Sequence, residues 1–188
     1  GPMAMPFYID MGYSKTEIGA IVKTVALGAS ILGFFVGGQF IKRFSLKACL
    51  LFGGVLVLIT NLLFSLSALS ESNLTQLSII VGMDSLAAGF VGTVNIAFLT
   101  SLVSKKFTAT QYALLTSFMM LPGKLFSGFS GYLADSLIML TSSQVGWALF
   151  FIITSALTLP ALITIMMRKD IFKPVSYTHL TLPTIVRV

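Results

Sequence analysis

Long uncharged runs separated by brief charged stretches dominate this chain. No charged residue occurs between Lys47 and Glu71, and a second uncharged run extends over 136–167. A helix needs about 20 predominantly apolar residues to cross a hydrocarbon core of roughly 30 Å. Reading from charge to charge predicts helices over 15–41 (containing Lys23), 48–70, 77–104 (containing Asp84) and 109–133 (containing Lys124). A last helix falls within 136–167 and starts near 145. Residues 1–9 read as the end of a helix whose beginning lies upstream. The pattern predicts an all-α polytopic membrane helix bundle of five complete transmembrane helices and one truncated helix, occupying 1–175.

Two helix starts are legible in finer detail. Ser14 with Glu17 fits a capping box, and Tyr13 with Ile18 fits the accompanying hydrophobic staple. Thr108 with Gln111, and Phe107 with Tyr112, repeat the device.

Composition identifies the solvent of this bundle as lipid. Hydrophobic residues make up 56% of the chain and charged residues only 10%, with a mean hydropathy of +0.96. A soluble domain carries about 25% charged residues. An ordinary cytosolic enzyme, a disordered chain and a nucleic-acid-binding arm are therefore excluded, although the net charge is +6. The basic excess has a topological explanation instead. Lys42, Arg43, Lys47, Lys105, Lys106, Arg168, Lys169 and Lys173, with the single acid Asp170, fall on one side when the spans alternate. The other side holds Lys15 against Asp10, Glu17, Glu71 and Asp135. Basic loops stay in the cytoplasm, so the C-terminus is expected there too.

The chain opens Gly1-Pro2-Met3 without a basic leader and reads as an internal piece of a longer protein. The segment 176–188 shifts to Thr, Leu and Pro, resembles translated adapter sequence, and is set apart as a non-native-looking tail. One cysteine, Cys49, and one histidine, His179, allow neither an internal disulfide nor a Cys/His metal site, and no cofactor motif is present. Gly123-Lys124 lacks the remainder of a P-loop. No paired-carboxylate or Ser-His arrangement suggests an enzyme.

Candidate chemistry rests on three ionisable residues inside predicted spans: Lys23, Asp84 and Lys124. Such a charge costs about 2.5–3.5 kcal/mol at a helix centre on insertion scales, so it should face protein or water. At 1.5 Å per residue the three lie roughly 12, 10 and 14 Å from the non-cytoplasmic helix ends. That is one shared depth near the midplane, where secondary transporters place their sites. Lys23 can alternatively snorkel to the interface on its long stem; Asp84 is too short for that. Asn95 falls on the same helix face as Asp84, with Ala88 and Gly92 between, suggesting a polar stripe. Pro122-Gly123 is expected to break the helical ladder beside Lys124, either as a cavity lining or as a packing kink. Asn61 and Ser65 read as helix packing. Gly33-Phe34-Phe35-Val36-Gly37 is a small-xxx-small pattern for close helix approach.

Three strings carry a family resemblance: MPFYIDMGYSKTEIG (5–19), KKFTATQYALLTS (105–117) and GYLADSL (131–137). Through them, residues 3–170 resemble the muropeptide permeases of the AmpG type within the major facilitator superfamily. The segment GGQFIKRFSLK (37–47) sits where that superfamily has a Gly-rich basic loop, but lacks its Asp. The resemblance implies a C-terminal half running from the end of helix 7 through helix 12, with helices 7, 8, 10 and 11 lining a central cavity and 9 and 12 outside it. It implies proton-coupled import of anhydromuropeptides across the bacterial inner membrane for cell-wall recycling, by alternating access against the missing N-terminal half. Lys124, Lys23 and Asn95 would contact the anionic glycopeptide, and Asp84 would carry the proton. An anionic solute such as acetyl-coenzyme A is the alternative cargo. A non-transporting structural membrane protein is the alternative class, with the buried charges paired only for packing.

Overall fold

The computed structural model describes residues 3–103 and 108–167. Lys105, Lys106, Phe107, Arg168, Lys169, Asp170, Lys173, His179 and the tail 176–188 lie outside the described residues, as does the side chain of Thr108, so the second capping device lies outside them as well. Among the described residues the secondary structure is helical throughout. The helices are α1 (Ala4–Asp10), α2 (Lys15–Arg43), α3 (Leu46–Ala68), α4 (Leu74–Leu102), α5 (Thr108–Leu140) and α6 (Ser143–Met167).

The helix starts follow local hydrogen-bond chemistry. Ser14 Oγ accepts the Glu17 N–H at 3.3 Å while the Ser14 N–H donates to Glu17 Oε2 at 2.9 Å, completing the capping box. Tyr13 and Ile18 are both buried in one apolar cluster. Ser45, Asn73 and Ser142 cap α3, α4 and α6 through their side-chain oxygens. The turn from α1 into α2 passes through Gly12 at φ +89°, a left-handed conformation that suits glycine.

Two helices depart from expectation. Helix α5 continues through Pro122 and Gly123 to Leu140, seven residues past the expected end, so Pro122 does not break it and Asp135 lies in the helix rather than in a loop. A proline removes one N–H from the ladder, and in this 33-residue helix the bonds on either side suffice. Proline does act in α6, where a turn at Leu157 and Thr158 interrupts the helix just ahead of Pro160. There the ring conflicts with the preceding turn of carbonyls.

Four helices, α2, α3, α4 and α6, are long and apolar enough to cross a membrane. Helix α5 has the length, but Thr, Ser, Gly and Lys124 dilute its hydropathy below that of the others. This dilution has a structural counterpart, because the small and polar face of α5 borders a cavity.

The helices pack in the order α2–α4–α3–α6–α5, and α5 touches α4 only slightly. Gly33 and Gly37 are buried against α4, where a Cβ on Gly33 would run into the Leu86 carbonyl and one on Gly89 into the Ser30 carbonyl. The short α1 is held by aromatic edges: Phe7 meets Phe64, Trp147 and Phe151 at centroid distances of 5.6, 5.5 and 5.1 Å.

The alternation of helix directions is visible at both ends. At one end the Ser72 hydroxyl donates to the Met11 carbonyl at 2.8 Å and the Tyr13 hydroxyl to the Asn73 carbonyl at 3.1 Å. At the other, Lys47 Nζ donates to the Met166 carbonyl at 2.7 Å, which brings the basic α2–α3 connection beside the end of α6.

Candidate functional site

Helices α3, α4, α5 and α6 and the start of α1 line a partly open cavity of about 260 Å³. Its polar wall is assembled from four helices: Asn61 of α3, Asp84 of α4, Ser127 and Ser130 of α5, and Thr154 of α6. Phe64, Phe126, Phe150 and Phe151 supply the apolar remainder. Each polar residue is half-buried. Asp84 is thus the acidic side chain among the lining residues of this partly open cavity, and Tyr8 of α1 lies within electrostatic reach of it.

The hydroxyls in this wall are already committed as donors. Ser127 Oγ donates to the Lys124 carbonyl at 3.0 Å, Ser130 Oγ to the Ser127 carbonyl at 2.6 Å, and Thr154 Oγ1 to the Phe151 carbonyl at 3.1 Å. A hydroxyl has one hydrogen and two lone pairs. These three therefore offer acceptors to the cavity, whose lining also includes Asp84.

The other sequence-predicted residues are placed differently. Lys124 is exposed and lines an adjoining concavity of about 360 Å³ with Met119, Met120, Gly123 and Ser127. Gly123 and Ser127 belong to both hollows, so Lys124 borders the Asp84 cavity without entering its wall. Lys23 is exposed on a π-helical turn, Val22–Ala26, inserted in α2. Such turns recur at functional sites. Val25 on the same turn packs toward Gly82, and since α2 and α4 run in parallel register, Lys23 falls about one helical turn, roughly 6 Å, from the level of Asp84. Asn95 lies on α4 eleven residues beyond Asp84, roughly 16 Å along the axis. It lines a separate, largely apolar cavity with Leu50, Val57, Val91, Val94 and Ile165. The anticipated polar stripe therefore does not form one continuous site: the Asp84 cavity and the Asn95 cavity are distinct.

The cavity also draws in residues that sequence patterning assigns to packing. Asn61 is one of them, and with Thr154 it shows that α3 and α6 contribute walls rather than staying outside. The spacing Gly123, Ser127, Ser130 was the available signal, since intervals of four and three place these residues on one helix face. The π turn carrying Lys23 has no comparable signature in composition.

A family model described as the Major Facilitator Superfamily matches residues 2–179. AmpG 1 of Rickettsia prowazekii (strain Madrid E), whose name proposes a transporter, is 31% identical over 167 residues, covering 89% of this chain and 36% of that protein. AmpG 4 of Rickettsia conorii (strain ATCC VR-613 / Malish 7), similarly named, is 33% identical over 166 residues, covering 88% of this chain and 38% of its own length. The chain spans little more than a third of the length of these curated relatives.

Proposed function

The chain belongs to the Major Facilitator Superfamily, and from that premise we propose that it is the C-terminal half of a proton-coupled importer of anhydromuropeptides in the bacterial inner membrane. Helices α1 to α6 then correspond to helices 7 to 12 of the complete transporter, and alternating access arises from rocking against an N-terminal half that precedes this segment. The cytoplasmic assignment of the C-terminus is supported by Lys42, Arg43 and Lys47, which lie at the end of the bundle where α6 finishes.

The single observation that carries the reading is the Asp84 cavity: one carboxylate of α4 lining the same hollow as hydroxyl and carboxamide groups of α3, α5 and α6. Intramembrane carboxylates of this kind mark proton relays and substrate paths. In the proposed cycle Asp84 accepts a proton from the periplasmic side. Lys124, in the adjoining hollow, and Lys23, on the π turn, receive the carboxylates of the glycopeptide. Asn95 would contribute from its separate cavity only if the cargo extends that far along α4.

The test is uptake of labelled anhydromuropeptide by the full-length protein in proteoliposomes under an imposed pH gradient. Asp84→Asn should abolish gradient-driven accumulation, and Lys124→Ala should weaken uptake by raising KM. Accumulation of acetyl-coenzyme A in place of the muropeptide would redirect the cargo. Normal uptake in both variants would remove these residues from the mechanism.

A further inference from the structure

We propose that a surface groove between α3 and α4, at the end of the bundle opposite Lys47 and Met166, binds an amine-bearing phospholipid whose primary ammonium is hydrogen-bonded by Gln76. The site requires only that the chain spans a membrane, and depends on neither the cargo nor the coupling residue proposed above.

The groove has a volume of about 330 Å³ and lies beside the connection between the two helices. Ser67 and Ile80 are buried in its floor, while Leu66 and Ile79 stand on its rims at 63% and 57% exposure. Those rims face outward from the helix pair, where a membrane-spanning bundle meets acyl chains. The lining is graded along the helix axes. Ser70, Asn73, Thr75 and Gln76 lie at or near the connection. Leu63 and Ile79 lie one turn deeper, roughly 6 Å beyond Ser67 and Thr75 respectively. Polar at the helix ends and apolar toward the hydrocarbon is the polarity of one lipid leaflet. Small-molecule sites typically enclose roughly 300–1,000 Å³; a groove at the lower end of that range suits a headgroup and the start of its chains.

Hydrogen bonding narrows the headgroup. Gln76 Oε1 is buried with no hydrogen-bond partner, and Gln76 Nε2 reaches the Ser67 carbonyl only at 3.5 Å. A bond of that length is weak, so the carboxamide can swing toward the groove at little cost and meet a donor there. The Ser70 hydroxyl has committed its hydrogen to the Leu66 carbonyl at 2.9 Å and offers lone pairs. Asn73 accepts the Gln76 N–H on its carboxamide oxygen at 2.8 Å, which leaves its NH₂ as the donor it can offer a phosphate.

Charge narrows it further. Among the described residues the groove lining includes no Lys or Arg, and Glu71 follows Ser70 in the connection. An anionic headgroup would lack a counter-charge there, whereas a zwitterion supplies its own. A primary ammonium brings N–H donors to Gln76 and Ser70; a quaternary ammonium carries the same charge and has none. The groove should therefore tell an ethanolamine lipid from its choline analogue.

The experiment uses the full-length protein in detergent supplemented with phosphatidylethanolamine, phosphatidylcholine or phosphatidylglycerol of identical chains. Native mass spectrometry counts the retained lipid. Thermal unfolding reports stabilisation, because a ligand of the folded state raises the unfolding temperature with its concentration. Phosphatidylethanolamine should be retained and should stabilise at roughly tenfold lower concentration than phosphatidylcholine, the ratio expected for one hydrogen bond to a charged group. Gln76→Leu should lose that preference, and Gln76→Glu, which keeps an acceptor, should retain it. Equal retention of the two lipids by the wild type would overturn the site, and this comparison decides even if the leucine variant does not fold. A preference that survives in Gln76→Leu, or tighter retention of phosphatidylglycerol, would overturn it as well. So would a lipid-free dimer broken by Leu66→Ser, which would give the groove to a second copy of the chain. These readouts involve no transport, so failure of muropeptide uptake would leave the lipid site standing.

Discussion

Trp147 donates its indole N–H to the Asp10 carboxylate at 2.9 Å, tying the end of α1 to the first turns of α6. The indole is 2% exposed, and its ring packs against Phe7, Phe150 and Phe151. One end of this side chain is therefore solvated by aromatics and the other by a charge. The pair holds a seven-residue helix that is too short to be stable by itself.

Breaking the pair should loosen α1 specifically. Hydrogen bonds to charged groups contribute about 1.5–3 kcal/mol, so Asp10→Ala should destabilise by that order. Asp10→Asn, which keeps an acceptor, should cost less. Thermal unfolding of the two variants, with tryptophan emission as the probe, checks the ranking; equal stability of Asp10→Ala and wild type would show that the aromatic contacts alone hold α1.

The α2–α4 contact predicts opposite outcomes for glycines only a few residues apart. Gly33→Ala and Gly89→Ala each push a methyl into backbone of the facing helix, and overpacking of this kind costs about 1–3 kcal/mol. At Gly28 and Gly38 a Cβ meets nothing within 4 Å. Alanine there should be neutral or stabilise by roughly 0.5–1 kcal/mol, through lower chain entropy. Unfolding in graded denaturant distinguishes the two pairs.

Gly123 separates function from stability. A Cβ there meets nothing within 4 Å, yet the residue lines both the Asp84 cavity and the Lys124 hollow. Gly123→Ala should therefore fold at least as well as wild type, by up to about 1 kcal/mol, while uptake falls several-fold. Gly128→Ala, equally open but outside both linings, is the control that should leave uptake unchanged.

Lys47 caps α6 from a distance of 119 residues, its ammonium donating to the Met166 carbonyl. A cation at a helix C-terminus contributes typically 0.3–1 kcal/mol. Lys47→Met should lose about that much, and Lys47→Arg should retain most of it. Unfolding measurements at low and high salt check the electrostatic origin, because screening should shrink the difference.

Much of the architecture was written in the order of charges. The expected span 48–70 corresponds to Leu46–Ala68, and 77–104 to Leu74–Leu102. Hydropathy marks where the solvent changes from water to lipid, and each backbone polar group in lipid must be satisfied within a helix. The same logic placed Asp84 in the interior, since a short carboxylate cannot reach the interface.

Hydropathy does not report which neighbour a helix face meets. Asn61 read as a packing residue until α3 was seen to line the cavity of Asp84, and Asn95 looked like part of Asp84's site until the cavities proved separate. Pro122 and Pro160 are the same residue type in apolar surroundings, yet the helix continues through one and is interrupted at the other. The sequence by itself determined that this chain is a set of membrane-length apolar helices and which ionisable residues fall inside them, because transfer free energy is a property of each residue. Only the tertiary structure decided which of those residues share a cavity, because that depends on helix rotation and close approach, set by contacts such as Gly33 on Leu86 between residues far apart in the chain.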